Sequence, residues 1–368
     1  MKKHKIRRLN EISLAYNFLL KSISKDGGSR AYFSRLYNPI KGWSKMYPET
    51  TGYLIPTFIN YGKFLKDESK YQYAKGMADW LLSIQNDDGS YFSGLHREKI
   101  NPEKSIFNSA QIIFGMISIY RTTQKEEYYA SALKCAEWIA GSQNKKGYWD
   151  EHNYEDGYTP SYYARVAWPI LLVWSISKND KLLNSASLLL ENLANRKLKN
   201  KFIRDSGFKP NGYAFTHTIA YTIRGFLESS YILNNKSYYD IAKSLSEKFL
   251  KKFEINSKLF GAYDENFRPA GKYECLTGSV QFAIIWLKLY KDSNDIRYLN
   301  SALKIIDQVS EKIPRFSLIK KKGGVPGSYP FWGRYMFFRQ PNWASKFFID
   351  ASILELECLG LLEEKIQE

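Results

Sequence analysis

The chain is short of cysteine and histidine, and its acidic residues are outnumbered by basic ones. Its three cysteines, Cys135, Cys275 and Cys358, are odd in number and far apart, which excludes a disulfide framework and a metal-spaced pair. Its four histidines, His4, His96, His152 and His217, show no ligand spacing, so no metal site is expected. No stretch approaches the ~18 apolar residues of a membrane span. The basic opening Met1–Arg8 is not followed by the apolar run of a secretory leader. There is no phosphate-cradling Gly-Lys-Ser/Thr loop, and no dinucleotide fingerprint with a strand to present it. The expectation from these absences is a cytoplasmic protein with no metal and no cofactor.

Aromatic side chains are abundant: 16% of 368 residues, with 28 Tyr, 22 Phe and 9 Trp, inside a hydrophobic fraction of 44%. Such a chain buries a large core, and its aromatic rings can also stack on sugars. The net charge is +17, from 54 basic and 37 acidic residues. Scattered lysine on outer helix faces accounts for much of it. The functional alternative is attraction to an acidic polysaccharide or a lipid head group. No nucleic-acid motif accompanies the charge, so nucleic acid is not an expected partner. The expected partner is an acidic oligosaccharide or polysaccharide, free or lipid-linked, with peripheral contact to a membrane surface as the second role for the charge.

One stretch organises the pattern. Tyr213–Glu228 reads as a helix with Thr216 as N-cap. Its polar residues His217, Tyr221, Arg224 and Glu228 are spaced four, three and four apart, so they share one face. Ile219, Ile223, Phe226 and Leu227 cover the rest. Five sibling helices resemble it. Apolar helices open near 51, 108, 160, 216, 277 and 342, at roughly 53- to 65-residue intervals, and each is preceded by an amphipathic Lys/Glu-rich helix beginning with residues 9–24. Twelve helices in six hairpins predict one all-α domain over 1–368, an (α/α)6 toroid with apolar helices inside and amphipathic ones outside. Loops leading into the inner helices are long and rich in Gly, Tyr and Trp. Loops leading out of them are short. The N-terminal ends of the inner helices are therefore the expected working face, where helix dipoles favour an anion.

This pattern resembles the (α/α)6 toroids: six-hairpin glycosidases, several polysaccharide lyases, the helical domain of glucuronyl C5-epimerases and the terpenoid-cyclase-like group. Two helix-end strings, Gln85…Gly89…Tyr91 and Gln143…Gly147…Trp149, look like the cyclase repeat Gln-x-x-x-Gly-x-Trp. The Asp-x-Asp-Asp acid of triterpene cyclases is absent, and prenyltransferase zinc ligands have no match. The strings Tyr47–Tyr53, Thr216–Tyr221, Cys275–Ser279 and Gly327–Pro330 look like an uncharacterised bacterial group often encoded among O-antigen or capsule biosynthesis genes. That resemblance implies a polysaccharide context.

Four constellations carry candidate chemistry. His217, Tyr221 and Arg224 supply the types that C5-proton abstraction from a uronate needs: base, acid and carboxylate clamp. In toroidal lyases, the resemblance implies, Tyr and His fill the first two roles. The alternative is a structural stripe with Arg224 paired to Glu228. The second constellation is the opening of each sibling helix: Glu49 and Tyr53, Asn108, Tyr162 and Arg165, Gln281, and Asn342, Trp343 and Lys346. Capping accounts for Asn108, Thr277 and Asn342 taken singly, but not for converging Tyr, Trp and Arg. The third is the loop Gly323–Tyr335, with Trp332, Arg334 and Tyr335 as a sugar platform and carboxylate ligand. The fourth is the loop carboxylates, of which Glu49 and Asp264 are the pair for a hydrolytic alternative. The expected function is a carbohydrate-active enzyme, a lyase or C5-epimerase acting on a uronate-containing surface polysaccharide or its precursor. A six-hairpin glycoside hydrolase and a non-catalytic glycan-binding subunit are the alternatives.

Overall fold

The computed structural model describes residues 2–96 and 103–361; Met1, 97–102 and 362–368 of the expected 1–368 unit lie outside the described residues. The helices are α1 (Lys2–Leu20), α2 (Pro48–Leu65), α3 (Tyr71–Ser83), α4 (Ile106–Thr123), α5 (Glu126–Gly141), α6 (Ala164–Ser177), α7 (Asp180–Ala194), α8 (Thr216–Leu233), α9 (Lys236–Asn256), α10 (Leu276–Ser293), α11 (Ile296–Glu311) and α12 (Asn342–Cys358). Each even-numbered helix touches the next, and α12 packs on both α10 and α2. The six even helices thus form a closed inner ring, with the odd helices outside it: an (α/α)6 toroid.

Side-chain character explains the division. In α8 every residue from Thr216 to Ser230 is buried. The outer helix α11 buries Tyr298, Leu299, Ala302, Ile305, Ile306 and Val309 along one stripe and exposes Arg297, Asn300 and Lys304. Inner helices lead to outer ones through a repeated turn. Lys66, Lys178, Asn234 and Asn294 end inner helices in the left-handed conformation. The residues that follow, Asp67, Asn179, Asn235 and Asp295, accept N–H groups two or three positions on and so start the next helical segment. The two Gln-Gly strings are a second repeated device. Gln85 Nε2 donates to Gly89 O and Ser131 O, and Gln143 Nε2 donates to Gly147 O and Ser185 O, all between 2.9 and 3.1 Å. Each side chain stitches one outer helix end to the next outer helix. Gly89 and Gly147 have φ of +92° and +80°; a Cβ there would strike Lys134 O at 2.5 Å or the Asn192 amide at 2.7 Å.

The sequence pattern differs from the structure in three places. The first helix starts at Lys2, earlier than the periodicity from Leu9 suggests. Short antiparallel pairs also occur, although no strands were expected: β1 (Tyr32–Phe33) with β6 (Gln340–Pro341), β2 (Ala214–Phe215) with β3 (Ala262–Tyr263), and β4 (Glu274–Cys275) with β5 (Ser328–Tyr329). Two residues per strand leave no periodicity to read. They brace the long loops around the inner-helix N-termini. Lastly, Thr216 is the first helical residue and Phe215, still extended as the end of β2, occupies the cap position. The Thr216 hydroxyl turns to the Phe260 carbonyl instead.

The ring is closed by a buried ion cluster. Arg8 of α1, fully buried, donates to Glu11 at 2.6 Å and contacts Asp307 of α11 at 2.5 Å and Glu355 of α12 at 2.6 Å. Removing one partner of such a cluster strands the others in a dry interior. Arg8→Ala is therefore expected to cost about 3–5 kcal/mol of stability, measurable by urea unfolding. A loss below about 1 kcal/mol, typical of an exposed pair, would show that the cluster does not hold the ring closed.

Candidate active site

A cavity of about 650 Å³ opens at the N-terminal end of the inner ring. Its walls come from the starts of five inner-helix segments and from the loops that precede them. Glu49 and Tyr53 come from α2 and Tyr47 from its extended N-cap position, Phe107 and Asn108 from α4, Tyr162 from the 3-10 turn before α6, His217 and Tyr221 from α8, and Trp343 from α12. The Gly-rich loop supplies Arg334, Tyr335 and Met336. The last turns of the long loops thus deliver side chains to one point.

Pro48 opens α2 without needing a donor for its missing N–H, and Glu49 follows in the first turn. A carboxylate there has the helix dipole in its favour, but burial outweighs it. Burial lifts the Glu49 carboxyl from 4.5 to about 7, with the Tyr47 hydroxyl and the Arg165 charge pulling the other way. With its amide turned to satisfy both ends, Asn108 donates to Glu49 Oε2 at 3.1 Å and accepts from Gly94 N–H at 3.2 Å. Glu49 thus sits at the edge of ionisation near neutral pH.

His217 lies in an aromatic box. Ring centroids of Tyr335, Tyr221, Phe208 and Phe215 stand 4.6, 5.4, 5.6 and 6.0 Å from the imidazole. Burial pushes its pKa down to about 3, so the ring is neutral at physiological pH. Its Nδ1 has no hydrogen-bond partner among the described residues. Tyr335 in turn accepts from Trp343 Nε1 at 2.8 Å. The other histidines are spent elsewhere: His4 on Glu355, His96 edge-on to Trp80, His152 against Trp138. In the inner ring α2 and α8 are first and fourth of six, so Glu49 and His217 enter from opposite walls.

The remaining expected residues divide. Glu49, Tyr53, Asn108, Tyr162, His217, Tyr221, Arg334, Tyr335 and Trp343 all line the cavity. Arg334 is exposed and has no ion-pair partner among the described residues. Arg165 lies outside the lining, fully enclosed. Its Nε donates to Gln111 at 2.7 Å, and its guanidinium stands 4.5 to 5.7 Å from the rings of Tyr221, Phe114, Trp168 and Phe347.

Six further expected residues lie outside the cavity lining. Arg224 does not reach the cavity, because seven residues of helix carry it ~10 Å along the axis from His217. It chelates Glu228 at 2.7 and 3.0 Å and borders a second cavity at the opposite end of the ring. Lys346 is buried on Asp350. Asp264 spends Oδ1 on the N–H groups of Asn266 and Arg268, both at 2.8 Å, closing a turn away from the cavity. Gln281 is buried and donates to Thr277 O at 3.3 Å. Asn342 donates to Ser29 Oγ, Arg30 O and Thr50 Oγ1, binding the first long loop to the last helix. Trp332 is 63% exposed and outside the lining. Sequence reasoning passed over Tyr47, Phe107, Phe208 and Phe215; for all but Phe208 the signal was an aromatic placed just before or at an inner-helix opening. Among the described residues no group of His, Cys, Asp and Glu side chains is arranged to hold a metal ion.

The fold is shared with solved sugar enzymes. A sugar epimerase from a ruminal bacterium matches 98% of this chain and 99% of its own, at a TM-score of 0.75 and 15% identity. Cellobiose 2-epimerase from Spirochaeta thermophila matches 99% of this chain and 98% of its own, at 0.77 and 11%. An unsaturated glucuronyl hydrolase specific for heparin matches 97% and 98%, at 0.72 and 14%. Identities this low establish fold alone. No family model matches the chain, and no curated protein matches it.

The raised Glu49 pKa has a stability consequence. Below pH 4.5 the group is protonated in folded and unfolded chains alike and costs nothing. Between pH 4.5 and about 7 the unfolded chain ionises this group and the folded state does not, so stability falls as pH rises and levels above about 7. Glu49→Gln should therefore be more stable than the parent by up to about 3 kcal/mol above pH 7 and indistinguishable from it near pH 4. Unfolding curves across that range check this; a pH-independent difference would contradict it.

Proposed function

We propose that this cavity binds an acidic sugar residue and that Glu49 and His217 move the proton at the carbon bearing its carboxylate. The observation that carries this is that Glu49 and His217, two side chains able to carry a proton, line opposite walls, and that Arg334, with no ion-pair partner among the described residues, lines the same cavity. Glu49, with its pKa near 7, is matched to taking or returning a proton at neutral pH. Removal of the C5 proton leaves an enediolate, which Arg334 can pair. Return of a proton from the opposite wall gives the C5 epimer; loss of the C4 leaving group instead gives an unsaturated sugar.

His217 is a weak base in the empty cavity. A bound carboxylate places a negative charge against the imidazole and raises its pKa, so the substrate itself prepares the second group. Arg165 below and the helix N-termini around the cavity add positive potential for the same anion. The aromatic rings provide stacking faces for the sugar. The neighbours' names, sugar epimerase and glucuronyl hydrolase among them, are in keeping with sugar chemistry on this fold.

Hydrolysis is the second reading. A carboxyl raised to about 7 suits the general acid of a glycosidase. Its partner carboxylate would then be Glu103, which also lines the cavity.

A panel of uronate glycans incubated in heavy water distinguishes these. Deuterium at C5 without cleavage is the expected result; an absorbing unsaturated product places the enzyme among lyases, and new reducing ends without absorbance favour hydrolysis. Glu49→Gln and His217→Ala should each lower kcat at least ~100-fold, while Arg334→Ala should act mainly on KM. For Glu49 acting as base, kcat/KM should rise with pH through about 7. Retained turnover in His217→Ala would remove the two-wall mechanism.

A further inference from the structure

Two loops at the cavity end of the ring combine exposed apolar side chains with one sign of charge. Residues 28–46 and 312–339 contain eleven Lys and Arg and no Asp or Glu. Only Lys312, with Glu274, and Arg315, with Glu11 at 3.8 Å, have a carboxylate partner among the described residues. The loops form one surface. β1 pairs with β6, Ser34 Oγ donates to Phe338 O at 2.7 Å, Lys321 stands 5.3 Å from the Phe33 ring, and Arg339 lies 3.8 Å from the Tyr37 ring.

From these two loops Ile40, Leu318 and Phe316 project at 89, 88 and 87% exposure, with Leu36 and Trp332 at 59 and 63%. Large side chains so exposed within a few loops mark a contact surface. We infer that this face docks the protein on an anionic phospholipid bilayer. Lysine and arginine meet the lipid phosphates, and the apolar tips enter the boundary between head groups and acyl chains. An acidic polysaccharide fits less well, since three of the five exposed tips, Ile40, Leu36 and Leu318, are aliphatic and offer no flat ring for a sugar to stack on. Arg334 and Tyr335 belong to the same loop and to the cavity wall, so a docked bilayer lies beside the cavity. The docking does not depend on the reaction proposed above.

The test is co-sedimentation of the full chain with vesicles of phosphatidylcholine alone and of phosphatidylcholine mixed with phosphatidylglycerol. Binding to the mixed vesicles only, weakened by high salt, is expected. The double variant Phe316→Ser, Leu318→Ser should bind at least ~10-fold more weakly, and the double variant Lys41→Glu, Lys322→Glu should bind weakly as well. All four residues are exposed and outside the cavity, and circular dichroism verifies that each variant is folded. Equal binding to neutral vesicles, undiminished binding by either variant, or binding to a soluble polyuronate with none to vesicles would overturn the inference.

Discussion

A helix enclosed by other helices has no solvent side. Each polar residue on it must meet a partner or a cavity, because an unpaired polar atom in a dry interior costs several kcal/mol. The ionisable stripe of α8 shows how that constraint works out along one helix. At its start His217 and Tyr221 face the cavity. Farther along, Arg224 meets Glu228, and Glu228 also meets Lys288 at 3.1 Å. The single stripe of polar residues thus serves two ends of the ring.

The same rule sets the electrostatics of the axis. Arg224 has Glu228 and Lys346 has Asp350, but among the described residues Arg165 has only a neutral amide and four rings. A cation without a carboxylate under the cavity floor biases the space above it toward anions. Glu49 answers part of that field. Burial still holds it near neutrality, leaving its proton easy to move.

The ring was legible in the sequence because its signal is long and repeated: six apolar helices open within a few residues of the positions that periodicity indicates. His217 and Tyr221 were legible for the same reason, being four apart at a helix start. The polar residues deeper on the same stripe were misassigned, because periodicity gives the face of a helix and not the depth along it. Arg224 and Lys346 share faces with cavity residues yet lie a turn or more below. Asp264 was misassigned for another reason: a loop carboxylate that closes its own turn looks in sequence like one free for chemistry. Phe215 stands directly before α8 and so had a local signal, whereas Phe208 reaches His217 from farther back in the preceding loop, a contact that no local pattern encodes.

The Arg8 cluster joins residues 299 and 347 positions apart in sequence. Each hairpin can form from neighbouring chain as it is made, and α1 meets α2 early through Tyr16 against Phe58 and Tyr61, but its main helix partner, α12, comes last. The contact that joins α1 to α11 and α12 therefore comes last in synthesis. Until then an arginine suited only to a sealed interior stays in water, and the cavity lacks the wall that carries Trp343. The helix that closes the ring is the one that completes the pocket.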